Sequence, residues 1–138
     1  MKAKPVLFFV LIQLASIMLT ACQSTDPGRA ANAAPTAAQR VAQAAVDEGG
    51  KQYEAGNFQA AIKVLSGTTE ISMATPATQV QAHKLLAFSY CASGKPSFCH
   101  AEFLKILNID PTFKLSESER NHPVWGPVFE SARKQHTS

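Results

Sequence analysis

The sequence predicts an all-α protein: two antiparallel helical hairpins and a C-terminal capping helix, placed after a signal peptide and a flexible linker. Three observations lead there. The pattern Gly56-x-Phe58-x-x-Ala61-x-x-x-Leu65 returns 38 residues later as Gly94-x-Pro96-x-x-Cys99-x-x-x-Phe103, and a period of this size marks stacked supersecondary units. Helix start and stop residues bracket each half of both copies. No stretch alternates apolar and polar side chains long enough to form a strand.

Met1 to Lys4 forms a short basic head, and Val6 to Leu19 is almost wholly apolar. A basic n-region followed by an h-region is the organisation of an export signal. The run ends in Leu19-Thr20-Ala21-Cys22. This tetrapeptide resembles the bacterial lipobox, whose cysteine is diacylated and becomes the new N-terminus, so residues 1–21 are expected to be removed and Cys22 lipidated. From Val6 to Ala21 there are 16 residues, short of the roughly 20 that a helix needs to cross a bilayer. Gln23, in place of an aspartate, points by the enterobacterial sorting rule to the periplasmic face of the outer membrane.

Residues 22–38 read as the lipidated cysteine and its linker. Pro27, Gly28 and Pro35 interrupt any helix among small and polar residues. The 16 residues after Cys22 span about 50 Å when extended, or roughly 20 to 24 Å as a coil. The folded domain is assigned to residues 39–134 and a tail to 135–138. An alanine-rich helical pattern runs from Ala37 to Ala55, with Val41, Ala45, Glu48 and Gln52 at helical spacing, and its partner from Phe58 to Leu65. Thr75 before Pro76 is an N-cap followed by a first-turn proline, opening a helix to about Cys91. Ser97 is the expected cap of the next helix, which Pro111 ends. Ser116 to Glu119 has capping-box spacing, and a last helix is placed from Pro127 to Lys134. Trp125, Val128, Phe129 and Ala132 are expected to cover the second hairpin, as the end of a repeat array requires.

The turn glycine, the small residue five positions later and the closing Asp110-Pro111 resemble the tetratricopeptide repeat, with Leu86, Ala87 and Tyr90 at its first-helix positions and Gly49 and Tyr53 comparable in the first copy. The spacing of 38 exceeds that family's 34, with the excess expected between Ser66 and Thr75; Pro96 stands in place of an aromatic and Cys99 of an alanine. The stretch from Asp110 to Arg133 is similar to small repeat-containing lipoproteins of type VI secretion clusters, the TssQ type, over roughly residues 40 to 134. The resemblance implies a helical groove that binds another envelope protein, with secretion-system membrane components as partners. A general envelope role, binding peptidoglycan or an outer-membrane assembly machine, fits the same features.

Charge adds an exclusion. Losing Lys2 and Lys4 takes the 13 basic side chains to 11, against 10 acidic ones, so no electrostatic footprint for nucleic acid remains. No phosphate-binding glycine loop, Gly-x-Ser-x-Gly elbow or His-Glu-x-x-His is present, so no enzyme, catalytic residue, cofactor or metal is expected. Asp47, Glu48, Glu117 and Glu119 read as solvated carboxylates. Cys91 and Cys99 form an even pair at the facing ends of two helices in an oxidising compartment, so a disulfide is expected; two free thiols, zinc held with His83 and His100, and a Cys99–His100 nucleophile are the alternatives. Tyr53, Phe58, Tyr90, Phe103 and Phe113 read as core. His122 reads as a loop hydrogen-bonder, or as a binding residue beside Trp125. Lys51, Lys84 and Lys105 are the partner-binding candidates, as polar positions on the repeat helices.

Overall fold

The computed structural model describes residues 34–138; the signal segment, Cys22 and most of the linker lie outside them. Among the described residues there are six α-helices and no strand. They are α1 (Ala37–Glu54), α2 (Phe58–Gly67), α3 (Pro76–Ala92), α4 (Pro96–Ile109), α5 (Glu117–Arg120) and α6 (Gly126–His136), with a 3₁₀ turn at Thr69–Met73. The helices α1 and α2 pair as one hairpin and α3 and α4 as a second; α3 packs on both helices of the first, and α6 packs on α4.

Local chemistry sets the boundaries. Helix α1 begins two residues inside the segment assigned to the linker. Thr36 and Gln39 form a reciprocal capping box, with Gln39 N donating to Thr36 Oγ1 at 3.1 Å and Thr36 N to Gln39 Oε1 at 2.8 Å. Both hairpin turns close identically. After α1, Gly56 N donates to Tyr53 O and Asn57 N to Gln52 O; after α3, Gly94 N donates to Cys91 O and Lys95 N to Tyr90 O. This paired bonding needs a left-handed residue, and Gly56 and Gly94 supply it with φ of 75° and 71°. Thr75 caps α3 through the Thr78 amide as expected. Ser97 does not cap α4: Pro96 occupies the first turn, and Lys95 precedes it without a side-chain cap. Helix α6 starts one residue before Pro127 and runs into the assigned tail.

The buried face of α1 is Ala42, Ala45, Val46 and Gly49, rotated from the expected stripe; Val41 is exposed. Small residues win these positions because α2 comes close. A Cβ on Gly49 would stand 2.6 Å from Leu65 Cγ, so a larger residue there pushes the hairpin open. Glu48 Oε1 instead accepts from Gln52 Nε2 at the margin. The residues beyond a 34-residue spacing fold as the 3₁₀ turn, whose buried Ile71 packs in the first core with Val46, Ile62, Leu65 and Leu86. A second core joins Phe88, Cys91, Cys99, Phe103, Ile106 and Leu107 to Phe129 and Ala132 of α6, and half-buried Tyr90 touches both cores. Phe129 and Ala132 thus cover the second hairpin as expected. Cys91 and Cys99 sit at disulfide distance with Cα atoms 5.2 Å apart. None of the described helices is long and apolar enough to cross a membrane.

Candidate partner-binding site

The helix α3, the end of α1 and the α5–α6 link bring an aromatic face together. Phe88, four residues after Lys84, projects from the same side of α3. Trp125 stacks on Phe88 with ring centroids 4.5 Å apart, and the Tyr53 ring lies 6.2 Å from that of Phe88. His122 stacks on Trp125 at 3.4 Å, while its Nδ1 accepts the Val124 amide at 3.2 Å. So His122 is a loop hydrogen-bonder that also builds the face. Gly126 makes this geometry possible: a Cβ there would collide with the Arg120 carbonyl oxygen, so only glycine lets the chain turn back from α5 into α6.

Charge borders the aromatics. Lys84 Nζ donates to Glu119 Oε1 at 2.8 Å and lies 5.8 Å from the Phe88 ring centroid. Glu119 is therefore a buttressed partner of Lys84 and not a freely solvated carboxylate. Burial alone pushes its carboxyl up, but hydrogen bonds from Lys84 and from the Ser116 amide outweigh this, leaving it below the usual glutamate value. The Tyr53 phenol is pushed up, first by burial and then by the negative charge of Glu119. The Trp125 Nε1 donor is buried and finds no acceptor among the described residues. An unpaired buried donor is costly.

The three candidate lysines separate. Lys84 belongs to the aromatic face with His122 and Trp125. Lys51 is exposed on α1, and residues two apart on a helix project about 200° apart, so it leaves the side Tyr53 occupies. Lys105 belongs to a different cleft, where its Nζ donates to Glu102 Oε1 at 2.7 Å while His83 Nδ1 donates to Glu102 Oε2 at 2.6 Å. Glu102 is only 7% exposed, and this carboxylate is the residue sequence reasoning missed. The signal was available: Glu102 falls beside Phe103 on the buried side of α4. Burial pushes its carboxyl up, but the hydrogen bonds and charges of His83 and Lys105 prevail, holding it below the usual value.

The alternative cysteine and histidine roles are not assembled. Cys91 and Cys99 face each other, His83 is engaged by Glu102, and His100 lines a surface groove with Pro96 and Val128. Among the described residues no group of three or more metal-ligating side chains is gathered. Of the expected core aromatics, Phe103 is fully buried; Tyr53, Phe58, Tyr90 and Phe113 are half-buried, and Tyr90 is stacked under exposed Phe98 at 5.2 Å. Comparison with known proteins adds no relative: no family model matches the chain, and no curated protein and no solved structure matches it significantly.

Proposed function

We propose that the chain is a lipid-anchored periplasmic adaptor that binds another protein of the cell envelope, as an accessory component of a type VI secretion system at the outer membrane. One observation carries the binding part: a half-exposed aromatic face of Tyr53, Trp125 and His122 around Phe88, flanked by the Lys84–Glu119 pair. Aromatic anchors beside a few fixed polar groups are the composition of a protein-binding hot spot, and stacked helical hairpins of tetratricopeptide type present such faces to partner segments. The anchor and destination rest on Leu19-Thr20-Ala21-Cys22 and Gln23, and the secretion role on the TssQ-type resemblance.

The test is crosslinking and pull-down from solubilised membranes with the intact lipidated chain. A secretion-system membrane component is expected with the native chain and is expected to be lost with Trp125→Ala, while Lys51→Ala leaves capture unchanged. A Cys22→Ala chain that still fractionates with membranes, or sheath contraction and effector export unchanged by deletion of the gene, would count against the reading.

A further inference from the structure

A second cleft lies away from the aromatic face, between the segment 111–115 and α6, with a volume of about 560 Å³. Phe113, Leu115 and Phe129 supply an apolar floor, and Lys114, Arg120 and Arg133 reach its rim against one carboxylate, Glu130. Glu130 is already engaged: Arg133 Nε and Nη2 both donate to its Oε2, at 3.1 and 2.7 Å. Lys114 and Arg120 are exposed and have no ion-pair partner among the described residues. The rim therefore carries two uncompensated positive charges over apolar ground. The chain bordering it, Phe113 to Leu115, has no regular secondary structure, and the amides of Lys114 and Leu115 donate no hydrogen bond among the described residues.

We infer that this cleft docks an acidic peptide segment of a partner protein, one bearing a large apolar side chain. Each part of the occupant answers a feature of the cleft. The unpaired cations call for carboxylates, and charge-assisted pairs to guanidinium are the strong ones. The apolar floor calls for a side chain that a bare phosphate or sulfate lacks. The unbonded amides of Lys114 and Leu115 can donate to the main-chain carbonyls of a docked peptide. A concave site of this volume admits one side chain with its backbone, whereas the flat surface of a bilayer reaches only its rim. The cleft is lined by none of the residues of the aromatic face, so it is a second point of attachment, independent of the adaptor reading.

Fluorescence anisotropy of the full chain in detergent tests this. The probe is a blocked, labelled peptide of glutamates around one central phenylalanine, and the control replaces its glutamates by lysines. The acidic peptide is expected to bind with an affinity that falls as salt rises. A chain with both Lys114→Glu and Arg120→Glu is expected to bind it at least about tenfold more weakly, the loss of roughly one charge-assisted contact, and to gain affinity for the lysine peptide. Both side chains are exposed, so an unchanged thermal midpoint of the double variant shows that folding is not the cause. Amide shifts at Lys114 and Leu115 on adding the acidic peptide place it in the cleft. Equal binding of both peptides by the native chain, or undiminished binding by the variant, overturns the inference. So does a native chain that ignores the peptide but binds phosphatidylglycerol vesicles in a Lys114- and Arg120-dependent way.

Discussion

At the scale of single residues, the buried carboxylate of Glu102 decides how the domain responds to acid. It is ionised in the folded chain because His83 and Lys105 hold it below the ordinary carboxylate range against the opposing effect of burial. A carboxyl whose folded value is depressed contributes stability that is complete above its unfolded value and is lost as the pH falls through the folded one. Stability should therefore drop as the pH falls below the usual glutamate range. Glu102→Gln keeps the shape but removes the charge, and should cost about 1.5 to 3 kcal/mol at pH 7, the range for hydrogen bonds to charged groups. At pH 3 the gap between native chain and variant should be narrower than at pH 7. Urea unfolding at both values measures it; parallel acid slopes for the two proteins would sink the assignment. Glu119 is shifted the same way by Lys84 and Ser116, so some acid sensitivity should survive in the variant.

At the scale of elements, the second hairpin is clamped at its turn. Cys91 ends the run of buried residues in α3, and Cys99 lies wholly buried in the first turn of α4. Between them the glycine turn already fixes the backbone, so a bridge there closes a loop of eight residues. In the chain-entropy model that is worth about 2 to 3 kcal/mol. Reductant should lower the unfolding free energy from urea titration of periplasmically produced protein by that amount and leave a Cys91→Ser, Cys99→Ser variant unaffected. Two thiols that alkylate without reduction would refute the bridge. This hairpin also shows what was readable in advance. Glycine turns, the Thr75 and Ser116 caps and the small residues Ala61 and Cys99 are local chemistry, and each was legible. The third position of that kind, Ala132, follows Cys99 by 33 residues and is equally buried. It was read as part of the cap over the second hairpin, and it packs in that core. The buried side of α1 was misplaced: alanine, glycine and valine differ little in sequence pattern, and the choice among them is made by Leu65 of the facing helix. The ion pairs Lys84–Glu119 and His83–Glu102 join residues 35 and 19 apart, beyond the reach of any local rule.

At the scale of the whole molecule, the question is whether the cap folds with the hairpins or only rests on them. Phe129 packs edge-on against Phe103 at 5.2 Å and Phe113 at 6.0 Å, so one core is shared by α3, α4 and α6. The aromatic face depends on the same docking, since Trp125 precedes α6 and stacks back on Phe88. Removing the Phe129 ring should cost about 3 to 5 kcal/mol out of the 5 to 15 that such a domain commands. For a domain near 100 residues that lowers the thermal midpoint on the order of 15 °C or more. The chain contains one tryptophan, which makes Trp125 fluorescence a reporter of cap docking, while far-ultraviolet circular dichroism follows all the helices. In the native chain the shared core should make the two urea transitions coincide. In Phe129→Ala the tryptophan transition should come first, because the α4–α6 contact is weakened while the hairpins keep their own cores. Capture of the proposed envelope partner should then fail at urea concentrations where the helices persist. Coincident transitions in the variant would mean that the hairpins cannot stand without α6, and a leading tryptophan transition in the native chain would mean that the cap was never part of the cooperative unit.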